Sequence, residues 1–257
     1  MDRAKTLFIQ TCGFLFTLLL FTGCDTEDAP GCFKVAGEIV QQEVELDAFN
    51  EIIVYDRINL FIEQGHEQKV MVETGQNLMD GISADVENGR LSLKNKNQCN
   101  LFRDYNITNV YVTIPDLTWL QNAGNTVIES VGELHFENIW LRSLNQEEVK
   151  GVYTNGDFRL HLISKSVRVT GDDFSNFFLS GTTDHLNLYI AAGDGRVEAH
   201  DLVAGTVEIQ HRGTNKLFVN PLQVLKGEIR STGDVISVNR PPVVKIETFY
   251  TGRLIFE

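Results

Sequence analysis

The sequence predicts an all-β chain wound as a β-helix or related β-solenoid with coils of about 20 residues. Three observations carry that expectation. From Phe33 onward hardly any segment has helical periodicity, and short runs rich in Val, Ile, Leu, Tyr and Thr are bounded by Gly, Asn or Asp, the composition of strands between turns. Two strings, VNPLQVLKGEIRSTGDVIS from Val219 and VNRPPVVKIETFYTGRLIF from Val238, superpose when Val238 is laid on Val219: Asn220/Asn239, Val224/Val243, Lys226/Lys245, Glu228/Glu247, Gly233/Gly252 and Ile236/Ile255 then coincide. A ladder of glycines, Gly132, Gly151, Gly171, Gly193, Gly213, Gly233 and Gly252, climbs the second half of the chain at a nearly even spacing. Chains of short strands with such a period bury themselves by winding, each coil stacking on the one before at about 4.8 Å. A β-sandwich predicts no strict period, and a propeller blade needs about 40 to 45 residues.

Residues 1–23 read as an address. Arg3 and Lys5 precede the apolar run LFIQTCGFLFTLLLF from Leu7 to Phe21, too short to span a membrane comfortably and typical of a secretory signal. Phe21-Thr22-Gly23-Cys24 resembles the bacterial lipobox, with Phe21 where Leu is usual. The resemblance implies cleavage before Cys24, acylation there, and anchoring in the outer membrane, facing the periplasm or the cell surface. Residues 24–32 then form an acidic tether with Asp25, Glu27 and Asp28. Removal of Asp2, Arg3 and Lys5 with residues 1–23 leaves 34 acidic and 20 basic residues, so the net charge of −13 becomes −14. That balance argues against a nucleic-acid partner, which needs clustered Lys and Arg. Cys32 and Cys99 remain as a disulfide pair in an oxidising compartment, or as two buried thiols; no CxxC or CxH spacing favours a metal.

Residues 33–257 form the body, with 33–115 less regular and 116–257 repetitive. EIIVY (51–55), NLFIEQ (59–64), KVMVET (69–74), GISADVE (81–87), RLSLK (90–94) and NVYVTI (109–114) read as strands, Asn88-Gly89 as a tight hairpin turn, and residues 75–82 as a brief helical turn capped by Asn77. Beyond Pro115 the period places Glu208-Ile209 on Glu228-Ile229 and Gly213 on Gly233. Val207, Ile209, Leu217, Val219, Val224, Ile229, Val235 and Ile236 should point inward, and Asn220 and Asn239 should stack.

The strings FKVAGEIVQQEVELDAFNEIIVYDRINLFIEQGHEQKVMVETGQNL, NVYVTIPDLTWLQNAGNTVI and GEIRSTGDVISVNRPPVVKIETFYTGRLIF, spanning Val35 to Phe256, resemble the putative auto-transporter adhesin, head GIN domain family of Bacteroidetes. The resemblance implies a right-handed β-helix of the cell envelope with a non-enzymatic binding role. The family's SGSGD turns survive only as NAGN (122–125), TNGD (154–157) and STGD (231–234).

Chemistry is sparse. No HxH, HExxH or GxSxG spacing is present, no glycine motif cradles a phosphate, and neither a cofactor nor a metal is implied. The richest acidic cluster is Asp172 and Asp173, with Asp157 one coil earlier and Asp194 one coil later: a ligand or cation groove if these stack, or solvated turn residues. A carbohydrate-active β-helix enzyme using Asp172 or Asp173 with Asp157 or Asp194 is the alternative reading. Phe177 or Phe178 is the candidate exposed aromatic contact for a glycan or an envelope protein, while Trp119 and Trp140 read as packing.

Overall fold

The structure is a computed structural model that describes residues 34–97, 104, 106–145 and 150–257. The leader, the tether, Cys24, Cys32 and Cys99 lie outside them. The described residues are all-β apart from a 3₁₀ turn at Gln76–Gly81. The short strands come first: β1 (Ile39–Glu43), β2 (Glu51–Tyr55), β3 (Asn59–Gln64), β4 (Lys69–Gly75), β5 (Ile82–Glu87), β6 (Arg90–Asn95), β7 (Asn109–Ile114), β8 (Trp119–Ala123), β9 (Val127–Leu134) and β10 (Asn138–Ser143). Four long strands follow, β11 (Asp157–Gly171), β12 (Asn176–Ile190), β13 (Arg196–His211) and β14 (Leu217–Ile229), then three short ones, β15 (Val235–Ser237), β16 (Val243–Thr248) and β17 (Leu254–Phe256).

All seventeen join one mixed sheet, curled into two arms. One arm runs β1, β4, β7, β3, β9, the first halves of β11 to β14, β15 and β17; the other runs β5, β6, β2, β8, β10, the second halves of β11 to β14, and β16. Only β1–β4, β4–β7 and β5–β6 are antiparallel. The alternating inward residues of both arms meet in a single core, as the two-residue period of a half-buried strand requires.

The repeat is real in space. Phe158 pairs with Phe177, Phe177 with Val197, Val197 with Leu217, Leu217 with Val235 and Val235 with Leu254. Val224/Val243, Lys226/Lys245, Glu228/Glu247 and Ile236/Ile255 are in register, as the superposed strings predict. Asn239 Nδ2 donates to Asn220 Oδ1 at 2.6 Å, so the two amides do stack. At the Asn88-Gly89 turn both residues take positive φ, 52° and 76°, the signature of a type I′ hairpin.

Several expectations are corrected. Ala199 opposes Val219 but Thr206 opposes Val224, because the bend of β14 is shorter than that of β13. Glu208 therefore faces Lys226 rather than Glu228, and Ile209 faces Gly227. Val224 is half-exposed, and Leu225 takes the inward place. Of the glycine ladder, Gly193, Gly213, Gly233 and Gly252 stack closely, whereas Gly171 pairs with Ile190 and a Cβ on Gly132 or Gly151 would meet nothing. The place beneath Gly193 is held by Asp173, at φ 51°. Asn77 caps nothing; its amide donates to the Val35 carbonyl at 3.3 Å.

Candidate functional site

The acidic cluster divides on inspection. Asp157 opens β11, where its Oδ1 accepts from Asn176 Nδ2 at 2.9 Å and its Oδ2 lies 3.5 Å from Arg159. Asp173 and Asp194 stack in the turns: the Asp194 N–H donates to the Asp173 carbonyl, Thr154 Oγ1 donates to Asp173 Oδ2 at 2.5 Å, and Thr214 Oγ1 donates to Asp194 Oδ1 at 2.8 Å. These three carboxylates are each occupied by a neighbouring coil. In Asp172, burial and then the adjacent Asp173 charge push the carboxyl above the usual range, partly offset by hydrogen bonds from the Asn145 backbone and the Thr154 side chain; its Oδ1 is buried without a hydrogen-bond partner among the described residues. No three His, Cys, Asp or Glu side chains converge on a metal-sized site among the described residues.

The aromatic expectation is half corrected. Phe177 is fully buried and stacks on Phe158 with ring centroids 4.8 Å apart, so it cannot meet a ligand. The alternation of β12 puts Phe178 on the outer face, where the Arg159 guanidinium lies 4.3 Å from its ring centre. The most exposed ring in this region is Phe174, in the turn before β12, 65% accessible.

A more developed site lies on the outer face of the second arm. Strand pairing sets a row of outward side chains side by side: Arg90 beside Glu51, Glu51 beside Trp119, Trp119 beside Trp140, and Trp140 beside Arg168. The Arg90 guanidinium lies 4.1 Å from the Trp119 ring centre, and that of Arg168 lies 4.2 Å from Trp140; Arg142 lies 5.3 Å from the Trp140 ring centre. Glu51 anchors Arg90 by an ion pair at 2.6 Å, and Thr170 Oγ1 accepts the Trp140 indole N–H at 2.9 Å. Each indole thus has a guanidinium against its ring; that of Arg90 also turns its Nε–H, at 2.8 Å, and an Nη onto Glu51, and guanidiniums held this way present their remaining N–H groups to a carboxylate, sulfate or phosphate. Arg142 Nε is buried with no hydrogen-bond partner among the described residues.

Arg90, Glu51, Trp119 and Trp140 of this row border a cavity of about 550 Å³ that Tyr55 and Arg142 also line, within the size range of small-ligand sites. Tyr55 also lines an adjoining cleft of about 690 Å³ whose walls carry Arg57, Lys94, Lys96 and Lys150 against Asp56 alone, with Tyr153 at its edge. Burial raises the Asp56 carboxyl above its usual range, partly offset by Arg57. On a chain of net charge −13, this aromatic groove is locally basic. The sequence places Trp119 and Trp140 in packing, and Trp119 is indeed nearly buried. Their separation along the chain, close to one coil, is the signal that they sit side by side; Glu51 and Arg90 come from irregular strands and carry no such signal.

The fold defines a class: a repetitive all-β protein built on one curled mixed sheet. The family model described as "Putative auto-transporter adhesin, head GIN domain" matches residues 48–241. The chain belongs to that family. Among solved structures, a putative adhesin from Bacteroides fragilis is 18% identical with a TM-score of 0.75, over 86% of this chain and 97% of that one. A putative lipid binding protein from Parabacteroides distasonis is 18% identical with a TM-score of 0.59, covering 85% and 97%. A putative adhesin from Parabacteroides merdae is 16% identical with a TM-score of 0.56, covering 86% and 97%. At these identities the likeness is one of fold. No curated protein matches the sequence.

Proposed function

We propose that this chain is a non-enzymatic adhesin of the cell envelope that binds an anionic glycan in the groove beside Trp119 and Trp140. The observation that carries the reading is the row Arg90–Trp119–Trp140–Arg168, in which each indole has a guanidinium against its ring and Arg90, Trp119 and Trp140 line a cleft together with Arg142. Guanidiniums recognise acidic sugar substituents bidentately, and the exposed Tyr153 ring suits a pyranose face. The parallel register of β11 to β17, in which each strand lies beside the one a coil earlier, supports a right-handed β-helix as the architecture that presents this surface. Membership of an adhesin-like family supports envelope association. Among the described residues no helix is long and apolar enough to cross a membrane, and a lipid anchor at Cys24, with a Cys32–Cys99 disulfide, completes the proposal. The enzyme alternative is weaker, since Asp157, Asp173 and Asp194 each serve a neighbouring coil and leave Asp172 without a free carboxylate partner.

The test is calorimetric titration of the full-length chain with an oligogalacturonate and with its neutral methyl ester. The acidic probe should bind and the ester should not, and Trp140→Ala and Arg90→Ala should each weaken binding about tenfold or more, the value of one well-placed charged contact. Equal affinity for both probes, or no effect of either substitution, overturns the reading.

A further inference from the structure

Strand β16 has an open edge among the described residues. β16 pairs with β14 on one side, and no strand pairs with its other side among the described residues. The Phe249 N–H donates back to the Ile229 carbonyl at 2.9 Å, so the alternation of a strand turns the N–H and C=O groups of Val244, Ile246 and Thr248 toward the free edge. Such an edge is a template for another strand.

The side chains around it are mismatched within one molecule. Lys245 lies beside Lys226, and Glu247 beside Glu228, like charges in cross-strand positions that repel. Lys226 and Glu228 are already satisfied by Glu208 at 3.0 Å and Arg230, whereas Lys245 and Glu247 form no ion pair among the described residues. The Arg230 charge, already paired with Glu228, also attracts Glu247. Val243 and Phe249 stand exposed, at 37% and 51%, on the same outer face, and Ile246 is only partly covered by the core.

We propose that this edge is a homodimer interface, in which two copies pair β16 antiparallel about a twofold axis at Ile246. The segment Val243–Phe249 is complementary to itself in that register. Ile246 faces Ile246 of the second copy, and Val244 faces Thr248, each pair using the main-chain groups that point outward. Lys245 faces Glu247 of the second copy, and Val243 faces Phe249, both on the outer face with Cβ atoms about 5 Å apart. Shifting the register by one residue would oppose groups that already point at β14. The twofold axis makes the contact isologous and closed, so the same pairing that forms a dimer stops there.

Charge reversal tests it on the full-length chain in mild detergent, by light scattering and sedimentation up to about 100 μM, where a micromolar dimer is well populated. The unaltered chain should be dimeric. Lys245→Glu and Glu247→Lys should each weaken the dimer about tenfold or more by setting like charges opposite each other twice. Mixing the two variants should restore dimers, because each introduced carboxylate then meets an introduced ammonium, and the double variant K245E/E247K should dimerise like the parent. Restoration on mixing also establishes that the single variants are folded. A monomeric parent chain at that concentration, single variants that dimerise undiminished, or a mixture that stays monomeric overturns the proposal.

Discussion

Phe177 and Phe178 are adjacent, chemically identical and opposite in fate. Phe177 is wholly inaccessible and lies flat on Phe158, the interplanar angle being 10°. Beneath it runs the Gly171 backbone, so close that a Cβ there would come within 2.9 Å of the Phe177 ring. That wall is main chain in a paired strand and cannot collapse into a vacated space. Phe177→Ala should therefore fall in the upper part of the range for buried phenylalanine truncations, about 4 kcal/mol, including the stacked pair's own contribution of about 1 kcal/mol. Phe178→Ala removes a half-buried outer ring and one guanidinium contact at 4.3 Å, worth about 0.5–1 kcal/mol. Urea unfolding followed by the fluorescence of Trp119 and Trp140 reads both. The corresponding fall in Tm should be about 8–16 °C for Phe177→Ala and about 1–4 °C for Phe178→Ala, on the scaling for chains of this size. If Phe178→Ala proves the costlier, or the two cost the same, β12 presents the opposite face to the core and the register of the coils above and below it is wrong.

The Asn220–Asn239 contact should behave as a coupled pair: either single change to Ala costs about 1 kcal/mol, and the double variant costs less than their sum, as a double-mutant cycle by urea denaturation would detect. His211 is fully buried; its Nε2–H donates to the Asn215 carbonyl at 2.9 Å, and its Nδ1 has no partner among the described residues. Burial holds its pKa below the ordinary 6.5, so below pH 6.5 the unfolded chain binds a proton that the folded chain refuses. Stability contributed by the neutral imidazole should be complete above pH 6.5 and fall on acidification by at most about 1.4 kcal/mol per pH unit. His211→Gln should flatten that slope in denaturation measured at pH 7.5 and pH 5.5, and an unchanged slope would remove His211 as its source.

Much of the body is readable in one dimension because parallel strands about 20 residues apart in the sequence lie side by side. The aligned strings between Val219 and Ile255 become paired strands, and Asn220 meets Asn239, because those contacts are nearest neighbours in both sequence period and space. What fails is phase. The shorter bend in β14 moves Glu208 onto Lys226 and turns Val224 outward, and the side of β12 on which Phe177 falls depends on where each bend absorbs a residue.

The surface proposed to bind a glycan is the least legible part. Glu51 and Arg90 reach the tryptophan row from strands that insert between coils out of sequence order, so no spacing announces them. The acidic turns are visible because Asp favours turns, yet only the hydrogen bonds between coils separate occupied carboxylates from the unpartnered oxygen of Asp172. The amino-acid sequence by itself determined that the chain is all-β, that its second half repeats and that its turns are acidic, since these follow from composition and period. The tertiary structure alone decided which ring is core, which guanidiniums lie on which indoles and which strand edge stays open, because each depends on the register between strands remote in sequence, and a single bulge resets that register for every residue beyond it.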